Sequence, residues 1–434
     1  MRMTRPGIAS AAAIVVGTLL SVVPPAVHGE NVMEPSLRGD DRVIQLPFGF
    51  WNESFGVAAG YVYAINGYPQ AQAGLLATVM AGSKGSASAL LMGQNIRLFN
   101  RDRLFFDPIL SVSYYNDIDA YVDGNPDFPD ERAGSNDSDP DNFITGSGWD
   151  TFYRLRFKYL LPIGDGREQL VPRYQFDRGL LTAGAGGGAS FNPLESGRTF
   201  LEVRPFYRKQ EVENDDLEGA QATNGMEFSV FWDNRDYPGN PSRGNALLLK
   251  LTRDWGLANS TDSWTNLAAE YDHYVSLQPT RRFRQRVLAF DVWSAYSPSW
   301  QEQPDGSIEH RPPSFAGATL GGMWRMRAFP SQRFNDKAAI YYAAELRLVP
   351  DWNIFDRWDG FQRRVGVDWI QFVGFAEAGR VASSWDLSEL HDDMRWDVGL
   401  GIRAWAKGLV VRLDTAVSDE GAGVQMTVSQ PFQF

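Results

Sequence analysis

The sequence predicts an all-β protein, a transmembrane antiparallel β-barrel of sixteen strands. Three observations support this. After residue 30 no segment offers the 18 consecutive apolar residues that a spanning helix requires. Aromatic residues nevertheless make up 13% of the chain, with 14 Trp, 16 Tyr and 27 Phe, while the mean hydropathy is only −0.32. Many short segments alternate apolar and polar residues with period two. A barrel strand does this because its residues face lipid and lumen in turn, so its hydropathy averages out.

Residues 1–29 read as a signal peptide. Arg2 and Arg5 form the positive start, Ile8 to Val23 the apolar stretch, and Pro24 and Pro25 end it before a cut at Gly29/Glu30. Residues 30–41 form a short periplasmic segment, and 42–434 the outer-membrane barrel. A chain of 434 residues is long for one soluble domain but comfortable for one large barrel. The chain has no cysteine, which removes disulfides, lipoprotein acylation and thiolate metal sites. Net charge is −12, and two units more negative once Arg2 and Arg5 are removed. Nucleic acid is therefore not expected as a partner, since phosphate needs cations.

The strands are placed at 42–52, 55–66, 72–83, 87–98, 104–115, 149–161, 199–211, 225–233, 245–255, 264–277, 286–296, 339–349, 366–380, 395–405, 408–417 and 423–434. The alternation is clearest in the last strand and recurs in three of the four before it. Ile340, Tyr342, Ala344, Leu346 and Leu348 oppose Glu345 and Arg347. Val398, Leu400, Ile402 and Ala404 oppose Asp397, Arg403 and two glycines. Leu409, Val411, Leu413 and Val417 oppose Arg412, Asp414 and Ser418. In the last strand Val424, Met426, Val428, Phe432 and Phe434 share the apolar face. A terminal Phe434 suits a membrane interface, where barrels carry aromatic girdles. Charges on the second faces imply a polar lumen.

With the C-terminus in the periplasm, parity puts connections 116–148, 212–224, 297–338 and 381–394 outside the cell. Barrels put their longer loops there. Segment 162–198 is long yet periplasmic, against that rule. Connection 116–148 is strongly acidic, with Asp137-x-Asp139-x-Asp141 at its centre. Asn142 stands where a calcium loop needs glycine, and no glutamate closes it, so it reads as a solvated surface loop near cations held by lipopolysaccharide.

Catalytic and cofactor signals are weak. His273, His310 and His391 lie in separate elements, and no Gly-x-Ser-x-Gly elbow or P-loop occurs. Gly184-Ala-Gly186-Gly-Gly188-Ala189 matches a loose dinucleotide pattern, but no helix follows it. No enzyme activity, cofactor or metal is expected.

Three segments go beyond a generic barrel. Asp233-Asn-Arg235-Asp236-Tyr-Pro-Gly-Asn-Pro-Ser-Arg-Gly244 is a turn on the periplasmic side, rich in the residues that fix turns. Gly321-Gly322-Met-Trp-Arg-Met-Arg327-Ala328-Phe329 lies in a connection too apolar for a solvated loop, which must project onto a partner or fold into the lumen. Phe375-Ala-Glu377-Ala-Gly379 puts a carboxylate on one strand face with Phe375 and Gly379.

In this order the three resemble the BamA/TamA-type family of bacterial surface-antigen barrels, most closely over 199–434. The resemblance implies that the loop folds into the barrel, that Arg327 pairs with Glu377, and that Phe329 is the loop aromatic. It implies insertion or translocation of outer-membrane proteins or lipids, with partners among outer-membrane lipid, lipopolysaccharide, client proteins or a separate periplasmic protein. Two departures stand out. Ala328 replaces the family glycine, so the loop tip adopts another conformation or is strained. The family's periplasmic POTRA domains have no room in residues 30–41, so a short form without them is expected. The rival readings are a porin-like diffusion channel and an outer-membrane hydrolase using a Ser and one of the three histidines.

Overall fold

The fold is taken from a computed structural model, which describes residues 43–52, 54–99, 101–213, 218–305, 307–406, 408–428 and 430–432. The signal peptide, the segment 30–41 and Phe434 lie outside the described residues. Among the described residues no helix is long and apolar enough to cross a membrane.

Sixteen strands form one antiparallel meander, each paired to its neighbours in sequence. They are β1 (Val43–Asn52), β2 (Gly56–Asn66), β3 (Gly74–Gly82) and β4 (Ala87–Gln94, resumed at Ile96–Arg97), then β5 (Leu104–Ala120) and β6 (Ile144–Leu160). Next come β7 (Arg198–Glu213), β8 (Glu218–Asp233), β9 (Gly244–Trp255), β10 (Ser263–Leu277) and β11 (Phe283–Tyr296). The last five are β12 (Ala338–Pro350), β13 (Val367–Ala382), β14 (Arg395–Ala406), β15 (Leu409–Val417) and β16 (Ala422–Val428).

The period-two pattern sorts the two faces. Outward positions are apolar and exposed, among them Val79, Leu110, Leu249, Leu267, Phe290 and Leu400. Inward positions are charged and buried, among them Glu270, Asp272, Glu345, Arg347, Arg403 and Asp414. A soluble sheet shows the opposite order. Burying charge and exposing aliphatic surface is stable only when lipid is the outer solvent. Met426 of β16 and Leu409 of β15 pack against a buried cluster drawn from β1 to β4, so both ends of the sheet share one apolar cluster. Among the described residues no backbone ladder joins β1 to β16.

Several expected boundaries move. The strands were expected at about ten residues, but β5 and β6 have 17 each, and β7 and β8 have 16. The connection between β5 and β6 shrinks accordingly to 121–143. These hairpins run past the thickness of a membrane, where alternation no longer separates lipid from lumen but the ladder continues. The last strand is shorter than expected and stops at Val428. Pro431 has no N–H to give to a ladder. Phe432 then takes φ 62° and is buried in the inward core, with the Arg347 guanidinium 5.5 Å from its ring, instead of facing outward with Val424.

Connection 121–143 is not simply solvated. Asn136, Ser138 and Asn142 are buried, and arginines from connection 297–337 and from the start of β14 meet it. Arg333 donates to Ser138 Oγ at 2.8 Å, Arg395 to the Asn136 carbonyl at 2.8 Å, and Arg311 pairs with Asp123 at 2.8 Å. Arg311 answers one of the connection's acids, while Arg333 and Arg395 hold its hydroxyl and carbonyl groups.

Segment 161–197 is also structured. It holds a turn at Gly164–Arg167 and a small hairpin, Gln175–Asp177 with Leu180–Ala183. It starts from β6 and β7 yet docks on β13 and β14, nearly opposite in the ring. Trp369 Nε1 donates to the Gly179 carbonyl at 2.9 Å, and the rings of Phe176 and Trp405 lie 5.9 Å apart. A long connection on this side is therefore accommodated by folding across the mouth of the barrel.

Candidate functional site

The site is the tip of connection 297–337, seated in the lumen. Gly321 (φ 105°) and Gly322 (φ 100°) turn the chain inward, a conformation that side chains with a Cβ rarely adopt. A Cβ on Gly321 would also stand 2.3 Å from the Pro330 carbonyl, so the returning arm can pass only a glycine there. The tip closes through Gly322 N to Phe329 O (3.1 Å) and Phe329 N to Met326 O (3.1 Å). The left-handed residue of the tip is Met326 (φ 59°), not Ala328. Ala328 therefore needs no glycine conformation and carries no strain from its Cβ. Phe329 is buried edge-to-face on Phe334, 5.1 Å between ring centres.

Arg327 is fully buried, and its bonds reach three strands. Its Nε donates to Glu377 Oε1 on β13 at 3.1 Å, and its backbone N to Glu377 Oε2 at 2.7 Å. Nη1 donates to Glu345 on β12 at 2.9 Å and to Asp414 on β15 at 2.6 Å. The Phe375 ring lies under the guanidinium, 3.5 Å from centre to Cζ. Tyr341 also donates to Glu377. Ala328 N donates to Asp397 on β14 at 3.1 Å, and the Arg327 carbonyl accepts from Gln425 on β16 at 3.3 Å. The tip thus bonds to every strand from β12 to β16.

Around it Arg403 bonds Glu345 at 2.8 Å and Gln430 at 2.6 Å, Arg347 bonds Glu345 at 2.7 Å, and Arg412 donates to the Met323 carbonyl at 2.8 Å. Four guanidiniums (Arg327, Arg347, Arg403, Arg412) stand among four carboxylates (Glu345, Glu377, Asp397, Asp414). Glu345, Glu377 and Asp414 each pair with at least one guanidinium, because an uncompensated ion in such surroundings costs several kcal/mol.

Two glycines let the tip approach the wall. A Cβ on Gly379 would lie 2.9 Å from Leu320 Cδ1 and 3.3 Å from Met326 Sδ, and one on Gly423 would lie 2.3 Å from the Arg327 carbonyl. Phe375, Glu377 and Gly379 share the inward face, with the ring, the carboxylate and the gap all serving the same loop tip. Sequence reasoning did not single out Glu345, Asp397, Arg403, Asp414, Gln430 or Gly423 as site residues. The available signal was that each lies on the lumen face of a late strand or just beyond its end.

The turn 234–243 reaches the loop-tip network through Asn240, whose Oδ1 accepts from Gln430 at 3.0 Å. Asp233 holds Arg235 at 2.8 Å. Asp236 accepts from Tyr237 N (2.8 Å), Ser242 N (2.9 Å) and Ser242 Oγ (2.5 Å). Burial pushes the Asp236 carboxyl up from its ordinary range against these bonds. Gly244 has φ 94°, and a Cβ there would meet the Asn234 carbonyl at 2.1 Å. Asn234 accepts from Gly188 N and Ser196 Oγ and donates to Ser190 O, so this turn anchors segment 161–197. The glycines at 184–188 serve that loop.

The histidines do not form a relay. Ser263 Oγ and Asp262 Oδ1 both face Nδ1 of His310, at 3.0 and 3.3 Å. A relay needs nucleophile and acid on different ring nitrogens. His391 bonds Tyr342 OH (2.9 Å) and Leu387 O (2.7 Å), and His273 lies against the rings of Phe191 and Tyr271.

No protein-family model matches the chain, and no curated protein matches it in sequence. Solved structures do. CdiB from Escherichia coli aligns over 88% of this chain and 61% of its own, with TM-score 0.51 and 11% identity. CdiB from Acinetobacter baumannii aligns over 89% and 59%, with TM-score 0.47 and 12% identity. BamA from Haemophilus ducreyi lacking POTRA domains 1–3 aligns over 88% and 68%, with TM-score 0.44 and 12% identity. This chain spans less than two thirds of either CdiB chain. The likeness to E. coli CdiB shows a common barrel fold.

Proposed function

We propose that this chain is an outer-membrane barrel of the BamA/TamA type, which helps to insert or translocate outer-membrane proteins or lipids. Its surroundings would be outer-membrane lipid and lipopolysaccharide, and its partners client barrels or a separate periplasmic protein. The carrying observation is Arg327, a buried loop-tip cation bonded to β12, β13 and β15. A diffusion channel uses lumen charges that line an open path, whereas Arg327 is wholly buried and held by three carboxylates. A barrel that must stay sealed while its wall changes gains from such a tip, because it ties five consecutive wall strands to one point. The E. coli CdiB fold supports the same reading, as do two ends of the sheet that share one apolar cluster without a backbone ladder between them among the described residues.

The experiment is single-channel conductance of the refolded barrel in planar bilayers, wild type beside a deletion of residues 316–335. Rare, unstable openings that become a large steady pore on deletion support the proposal. A large steady conductance already present in wild type, unchanged by the deletion, overturns it in favour of a porin.

A further inference from the structure

Beside the loop tip lies a second group of buried acids that the arginines do not balance. Glu270 and Asp272 point inward from β10, and Asp291 points inward from β11. Asp272 and Asp291 are direct partners in the ladder, so two like charges face each other in the arrangement that destabilises a sheet. Both are almost wholly buried, and each has one carboxylate oxygen with no hydrogen-bond partner. The other Asp272 oxygen accepts only from Tyr274 OH, at 3.2 Å.

The arginines nearby make their ion pairs with acids other than Asp272 and Asp291, though both Nη atoms of Arg347 lack a hydrogen-bond partner. Arg325 donates to Glu270 at 2.8 Å with its guanidinium 4.2 Å from the centre of the Trp293 ring. Arg235 is held by Asp233 at 2.8 Å and Arg347 by Glu345 at 2.7 Å. Two carboxylates remain without a counter-ion of their own, a deficit that one divalent ion would balance.

Geometry agrees. One oxygen from each of Glu270, Asp272 and Asp291 can be chosen so that all three lie within 4.8 Å of one another. That is about the widest spacing at which two oxygens can both stand ~2.4 Å from one calcium ion. The donors are all hard carboxylate oxygens, the chemistry that takes calcium, magnesium or manganese and leaves soft metals aside.

We propose that Glu270, Asp272 and Asp291 form a lumenal site for a hard divalent cation. The ion ties β10 to β11, and Arg325 of the inserted loop is docked on β10 through Glu270. Cation binding and loop seating therefore share Glu270.

The test uses terbium, a luminescent stand-in for calcium, because Trp293 and Tyr274 stand close enough to the acids to sensitise it. Trp293 is the ladder partner of Glu270, and Tyr274 bonds Asp272. The refolded chain is stripped with EDTA and titrated with Tb³⁺, then with Ca²⁺ as competitor, exciting the aromatic residues. The expected result is sensitised emission displaced by calcium. Asp291→Asn and Asp272→Asn should each weaken it by more than the roughly tenfold that loss of an outer-shell partner costs. Replacing Asp137, Asp139 and Asp141 of the outer loop with Asn should leave it unchanged. Circular dichroism and heat-dependent gel mobility establish that each variant is folded. Absence of sensitised emission in the wild type overturns the proposal, and so does emission that survives both lumenal variants in folded protein. Loss of the emission on changing the outer-loop acids overturns it as well.

Discussion

Gly423 of β16 lies directly against the carbonyl of Arg327, so close that a Cβ there would stand 2.3 Å from the oxygen and 2.9 Å from Ala328 Cα. The last strand can pass the loop tip only at a residue with no side chain. Gly423→Val should force the tip away from β14 to β16 and break the Ala328–Asp397 and Arg327–Gln425 bonds. The expected cost is about 1–3 kcal/mol, the usual range for overpacking. Steady channel openings should accompany a lowered unfolding temperature. A valine variant as closed and as stable as wild type would show that tip and strand are not in contact.

Arg327 and Glu377 should behave as one unit. Removing either leaves its partner buried and uncompensated, which costs about 3–5 kcal/mol. Arg327→Ala and Glu377→Ala together should cost clearly less than the sum of the two. Tyr341 still donates to Glu377, and Glu345 and Asp414 still face the loop, so the coupling will not cancel either single loss entirely. Denaturant unfolding of the four proteins measures it. Additive losses would mean that the two residues act independently.

Arg327→Lys should fail to rescue. Arg327 addresses Glu377 through Nε and both Glu345 and Asp414 through Nη1, and it covers the Phe375 ring. An ammonium is a point charge without that planar fork. The lysine variant should resemble the alanine variant in loop seating, read by protease cleavage within 297–337. Full protection of the lysine variant would reduce the contact to charge alone.

The strand order was legible because each strand carries its own two-residue alternation, a local property. All sixteen expected segments overlap a strand, and the inward faces named for β12, β14 and β15 are those that are buried. The partners of Arg327 beyond Glu377 were not legible. Glu345, Asp414 and Asp397 are each visible as lumen charges, but which of them stand at one height depends on the register and tilt of four strands together. The end of β16 was legible and was misread, since Pro431 marks it plainly. Segment 161–197 had no periodicity to read. Its aromatics Tyr174 and Phe176 meet Tyr237 and Trp405, partners distant in sequence that no local pattern announces.

That segment makes the last prediction. Trp369 of β13 caps the Gly179 carbonyl, and Gly179 sits so tightly between Trp369 and Trp405 that a Cβ would lie 2.9 and 2.7 Å from their Cδ1 atoms. Trp369 is wholly buried in the cluster with Tyr174, Tyr237 and Trp405. Trp369→Ala removes the hydrogen bond and the wall on which the hairpin rests. The cavity should cost about 3–5 kcal/mol if the segment stays in place. If it swings free instead, the global loss is smaller and the exposed backbone becomes a protease target. Trypsin cleavage at Arg173 or Arg178 separates these outcomes. Rapid cutting in Trp369→Ala, slow cutting in wild type and little change in unfolding temperature would identify a detachable cover over the inner mouth. Equal resistance with a large stability loss would make the hairpin a fixed part of the barrel core.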